Sequence, residues 1–206
     1  MEKKKKITRT RIFKLSIISS ILLFLSLFYG QILWSELWLI YGFIQVGIIA
    51  LFFLTVVWGL IFWMRNNEEY QAGFVPLLIT LTFLCLVIFL PLNKIRNRLE
   101  FTTNKRQFEK AVNLVLATNK KTEYPTLYKL PKNYQFLSAG GGEVIIINKV
   151  TSKGVLFYTF RGTPDGISGF FKIKGDGRID DFKNDLSGDI TELRDLGDNW
   201  YFISGE

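Results

Sequence analysis

The chain has no histidine and a single cysteine, Cys85. The first absence removes imidazole acid–base catalysis, Cys–His nucleophiles and histidine ligation of haem. The second removes a thiolate zinc site and any disulfide within one chain. With no pair of cysteines to form a bridge, cysteine usage carries no information about redox compartment. Charge is also missing over long stretches: residues 15–35, 37–64 and 70–93 contain no Asp, Glu, Lys or Arg. Each stretch is longer than the roughly 20 apolar residues that cross a ~30 Å hydrocarbon core, and buried helices of soluble proteins rarely hold such runs. They predict three transmembrane helices, near 15–34, 37–63 and 74–92. Trp34, Trp38 and Tyr41 gather near one boundary of the second run and Trp58 and Trp63 near the other, as aromatic belts do. The basic segment ahead of the first run is followed by no small-x-small cleavage site, so it reads as an uncleaved signal anchor.

The spans carry no acidic or basic residue at mid-depth. Gln31, Gln45 and Thr55 are their notable polar groups, so the usual markers of a proton relay or ion pathway are lacking. A transporter acting alone is disfavoured.

The net charge of +8 is unevenly placed. Residues 1–14 carry seven Lys/Arg against one Glu, and residues 94–110 carry six against two, whereas residues 111–206 carry twelve of each sign. Basicity therefore sits at helix ends, where it orients the chain or meets anionic headgroups. The C-terminal part has no net positive field to gather phosphates, and nucleic acid is not an expected partner. With the N-terminus cytoplasmic, the inner side receives the seven cations of the tail plus Arg65, against six after the third run. This thin majority predicts a multi-pass protein of the cell inner (cytoplasmic) membrane with an extracytoplasmic C-terminal domain; an even number of crossings, with both ends cytoplasmic, is the alternative. Richness in Lys and Asn with a short basic tail points to a bacterial source.

The resulting organisation is a basic cytoplasmic tail (1–14), a transmembrane region (15–93), a basic linker (94–103) and a small α+β domain (104–206). In the last, Phe108, Ala111, Val112 and Val115 recur at helical spacing and predict one amphipathic helix over about 104–118. Strand patterns follow at 134–138, 143–150, 154–161, 168–174, 190–196 and 199–204, separated by turn residues, and predict an antiparallel sheet of about five or six strands. Strands 143–150 and 154–161 are apolar on both faces, as in sheets covered on both sides. The helix covers one face. A cover for the other has to come from the C-terminal segment, a partner or the membrane.

Three polar stretches invite chemistry. Residues 172–185, KIKGDGRIDDFKND, resemble a calcium loop, but alignment on Asp176 and Gly177 puts Lys172, Lys174 and Lys183 where oxygen ligands are required. The stretch reads as a turn, with no metal site. SAGGGEV (138–144) lacks the Lys-Ser/Thr and the following helix of a phosphate loop and reads as a hairpin loop. RGTPDGISG (161–169) is turn chemistry around Pro164-Asp165-Gly166, with Arg161 and Asp165 as candidate binding residues. No catalytic residue and no cofactor is expected.

Together these features predict a non-enzymatic, membrane-anchored binding module, in contact with membrane lipid and with a protein partner or a second copy of itself. A membrane-acting effector or immunity-type protein is the second reading. A hydrolase built on Asp165, Asp180 or Asp181 is the weakest, since no nucleophile or base is positioned for it.

Overall fold

In the computed structural model, residues 2–65, 70–118, 125–161, 166–186 and 189–205 are described. They form two compact units, Met1–Arg96 and Asn97–Glu206.

The first unit contains α1 (Glu2–Phe28), α2 (Gly30–Arg65) and α3 (Tyr70–Phe89), which pack against one another pairwise. Their interior is built from small and hydroxyl side chains: Ser16, Ser19, Ser20, Ser26, Thr55 and Thr80 are buried beside Leu23, Phe52 and Leu77. Small residues let helices approach closely where lipid supplies no hydrophobic drive for association. Most of these hydroxyls bond back to their own helix, as Ser16 does to the Ile12 carbonyl at 3.0 Å and Thr55 to the Leu51 carbonyl at 2.8 Å. Between helices, the Tyr41 hydroxyl donates to the Ser26 carbonyl at 2.6 Å. Phe43, Phe53, Leu54 and Val57 are exposed on α2.

By length and composition, two helices can cross a membrane, over Arg11–Phe28 and Leu39–Arg65; a third span exists if Phe74–Phe89 and the helix after the Leu90-Pro91 break count as one. The expected runs 15–34 and 37–63 meet where the backbone departs from helical geometry at Leu37 (φ −127°), and across that kink the Tyr41 hydroxyl reaches back to the Ser26 carbonyl. A bend at Tyr29 divides the first run, so that α1 ends at Phe28 and α2 opens at Gly30. The tail expected at 1–14 is already helical from Glu2.

The expected linker, 94–103, contains the boundary between the two units and is helical. It is the first part of α4, a continuous helix over Leu92–Thr118. Pro91 ends what precedes it, and no Gly or Pro interrupts the residues that follow. Phe101, inside the supposed linker, is buried.

The second unit sets α4 against a six-stranded antiparallel sheet: β1 (Thr126–Lys129), β2 (Glu143–Asn148), β3 (Ser152–Arg161), β4 (Ile167–Gly175), β5 (Ile190–Gly197) and β6 (Trp200–Gly205), in the order β1-β2-β3-β4-β6-β5. The segment YQFLS is not a strand. Lys132–Leu137 forms a 3-10 helix, because Pro131 presets φ at its start and its carbonyl accepts from the Tyr134 N–H at 2.8 Å. The first strand lies earlier, at Thr126–Lys129. The β5–β6 hairpin turns on Asp198 and Asn199, both at positive φ, as a tight two-residue hairpin turn requires.

Each face of the sheet has its own cover. On the first, Val144, Ile146, Phe157, Phe170, Phe202 and Trp200 pack with Phe101, Phe108, Val112 and Val115 of α4. On the second, Ile147, Leu156, Phe171 and Ile173 pack with Phe182 and Leu186. These two residues lie on the connection from β4 to β5, which includes a 3-10 turn at Ile179–Phe182. The β4–β5 connection therefore supplies the cover that the sequence left open, while Trp200–Gly205 is a strand of the sheet itself.

Candidate functional site

Arg161 ends β3, and Thr159 decides which way it faces. Up to Tyr158 the β3–β4 register pairs Tyr158 with Gly169; beyond it, Phe160 pairs with Ser168 and Arg161 with Ile167. The extra residue is a bulge, which shifts the alternation by one. Phe160 moves to the face of α4, and Arg161 joins Tyr158 on the second face. Strict alternation would have put Tyr158 and Phe160 on one side and left Arg161 on the other. Thr159, at the bulge, is buried with its hydroxyl 2.8 Å from that of Ser168.

On this face the Arg161 guanidinium pairs with Glu143 at 2.8 Å and lies 5.4 Å from the centre of the Tyr158 ring. Both charged side chains are substantially solvent-accessible, whereas Tyr158 is buried. Burial pushes the Tyr158 phenol above its usual range; Arg161 opposes the rise and Glu143 adds to it. Ser138 supports the corner from below. Its hydroxyl accepts from the Tyr158 N–H at 2.9 Å and donates to the Glu143 carbonyl. The glycine stretch is a compact turn, Ala139–Gly142, with Gly140, Gly141 and Gly142 at φ of 73°, 85° and 77°. A Cβ at Gly142 would stand 2.5 Å from that of Gln135, so glycine is needed there for space as well as for its backbone.

The β1–β2 register adds β1 to the same face, with Leu127 opposite Ile145 and Lys129 opposite Glu143. Leu127 is 53% exposed and Lys129 is exposed. The corner thus presents an apolar side chain beside charges of both signs. Of the expected pair, Arg161 stands here with Glu143 as its partner, while Asp165 lies outside the described residues. Sequence reasoning missed Glu143, Leu127 and Lys129, because the Arg161–Glu143 pair depends on a bulge and the placing of Lys129 opposite Glu143 and of Leu127 opposite Ile145 depends on strand register.

The other carboxylates singled out have local roles. Asp181 accepts from the Arg178 N–H at 2.8 Å and holds the start of the 3-10 turn. Asp180 pairs with Lys183 at 2.7 Å, and that hydrogen bond and charge lower its pKa. Lys172, placed by the calcium-loop alignment at a ligand position, is buried under α4 and bonds Glu109 at 2.8 Å. Gly175, at φ 101°, supplies the positive-φ position expected of that turn. Among the described residues no group of three Asp, Glu or Cys side chains is placed to hold a metal ion. In the helical unit, a hollow of about 250 Å³ is lined by Leu23, Phe52, Leu84 and neighbours; its one hydroxyl, on Thr80, donates to the Leu77 carbonyl at 2.9 Å.

No protein-family model, curated protein or solved structure matches the chain.

Proposed function

We propose that the chain is a membrane-anchored, non-enzymatic binding module. Its apolar helices hold the α+β domain at the surface of the cytoplasmic membrane, on the extracytoplasmic side, and the domain binds a protein through the Leu127–Arg161 corner. The observation that carries this reading is the corner itself. The rest of the second sheet face is covered by Phe182 and Leu186, yet here Leu127 stands exposed on β1 next to Lys129, which lies opposite the Glu143 of the Arg161–Glu143 pair. An arginine held by a carboxylate and lying over an aromatic ring at the end of a strand has the character of a protein-binding hot spot. Mixed charge around an aliphatic residue suits a protein surface better than a polyphosphate. The side of the membrane rests on the cation count. An odd number of crossings agrees with Arg96, near the start of α4, reaching the Phe28 carbonyl at the end of α1 at 3.4 Å.

The test is photo-crosslinking of the full-length protein in native membranes, with the reactive side chain at Leu127 or, as a control, at exposed Thr191 on the opposite sheet edge. A discrete adduct is expected from position 127 and none from 191. Arg161→Glu should weaken the 127 adduct at least about tenfold, as loss of a hot-spot residue does. Equal adducts at both positions, or an adduct indifferent to Arg161, would remove the corner from the account.

A further inference from the structure

We propose that the opening turns of α4 form a binding surface for the headgroups of anionic phospholipids. The inference rests on the membrane anchoring proposed above and names a lipid class that the anchor selects. Exposed apolar surface at the end of α3, at Ile88 and Phe89, does not stop at the Pro91 break. It resumes on α4 at Ile95 and Leu99, the latter 55% exposed. Lys94 and Arg98 are also exposed. Both pairs have i, i+4 spacing, so a cationic row runs directly beside an apolar row on the helix surface. Leu92, Arg96, Asn97 and Phe101 occupy the buried side.

Arg96 is buried, and its guanidinium donates to the Phe28 carbonyl at the end of α1. Lys94 and Arg98 are exposed beside Ile95 and Leu99. This is the composition of a helix lying in a bilayer interface, with apolar side chains in the acyl boundary and cationic heads reaching to the phosphates. Charge complementarity fixes the lipid class. Residues 92–106 carry five Lys/Arg and one Glu, a strongly cationic stretch at the end of an apolar helix. A soluble polyanion would gain nothing from Leu99, whereas a bilayer uses both rows at once.

The test uses the full-length protein in bilayers of phosphatidylcholine with spin-labelled phosphatidylglycerol or phosphatidylcholine as probe, and reads the relative affinity of the motionally restricted lipid. The wild type should prefer phosphatidylglycerol, and the preference should shrink as salt rises. In Lys94→Gln/Arg98→Gln the preference should fall on the order of thirtyfold, two surface cations contributing about fivefold each. Arg106→Gln/Lys110→Gln, at exposed positions further along α4, should leave it unchanged. The proposal is overturned if the 94/98 variant keeps the preference or if the 106/110 variant loses as much. Restricted lipid without any preference also overturns it, while leaving the anchoring intact. Absence of restricted lipid of either kind removes the anchoring and this proposal together.

Discussion

Glu109→Ala is expected to destabilise the α+β domain by about 3 kcal/mol, the usual scale for removing one member of a buried ion pair. Glu109 lies on the inner side of α4, and its Oε1 accepts both from Lys172 Nζ at 2.8 Å and from the Trp200 indole N–H at 2.7 Å. Lys172 is 7% exposed; it also donates to the Asp198 carbonyl at 2.7 Å, and its ammonium lies 5.2 Å from the centre of the Trp200 ring. Alanine would leave a buried ammonium with one backbone acceptor and an indole N–H with none, and the desolvation of both groups would go uncompensated. Hydrogen exchange of the β4 and β6 amides in the full-length protein reads the loss. Pairing Glu109→Leu with Lys172→Met should recover much of it, since an apolar pair of similar volume needs no desolvation.

The same carboxylate makes the domain acid-sensitive. Burial alone would raise its pKa, but the hydrogen bonds from Lys172 and Trp200 and the charges of Lys172 and Lys174 outweigh burial and lower it. A folded pKa below the unfolded one means that the unfolded chain binds more protons through that window. The stabilisation is therefore complete above the ordinary glutamate range and is lost as pH falls through the lowered value. Wild-type exchange protection should drop across this acidic window. In Glu109→Ala this component of the drop should be absent.

Phe108→Ala and Phe182→Ala should each cost about 3–5 kcal/mol by the same exchange measurement, as deletion of a fully buried aromatic ring does. Phe108 is wholly buried, within 5.1–5.7 Å (ring centres) of Phe157, Phe170 and Trp200 on the first face. Phe182 is equally buried on the second face, 5.3 Å from Phe171. Two large losses follow only if the chain supplies both covers. A negligible effect at Phe182 would mean that the second face is built differently from the packing described here.

What was legible in the sequence follows physical range. Gaps in charge revealed the apolar helices because a helix fit to cross a membrane has to be apolar along its whole length. The ends of those helices were less legible: the bend at Tyr29 that ends α1 occurs inside an uncharged run, so nothing local marked it, whereas the kink at Leu37 sits beside Glu36. The doubly apolar strands β2 and β3 announced a sheet covered on both faces, and the 3.6-residue spacing of Phe108, Val112 and Val115 announced the helix on one of them. The other cover escaped notice because Phe182 and Leu186 sit in a stretch of aspartates and glycines whose local chemistry is that of a turn. Lys132–Leu137 was misread because Tyr-Gln-Phe-Leu has strand composition, whereas Pro131 sets a helical turn. At the candidate site, Arg161 was visible and its partner was not. A one-residue bulge brings Glu143 to Arg161, the β1–β2 register sets Lys129 and Leu127 on the same face, and neither is written in local composition.

Cysteine accessibility tests most directly whether this chain anchors a domain at a membrane surface. In a Cys85→Ser background, single cysteines are placed at Leu54 on the exposed face of α2 and at Lys129 on β1, and intact cells are treated with a membrane-impermeant maleimide. The account predicts that Lys129→Cys reacts in intact cells, while Leu54→Cys stays unreacted, even in opened membranes, until a denaturing detergent is added. Reaction of Leu54→Cys in undisturbed membranes would contradict the anchoring, and reaction of Lys129→Cys only after lysis would place the domain on the cytoplasmic side.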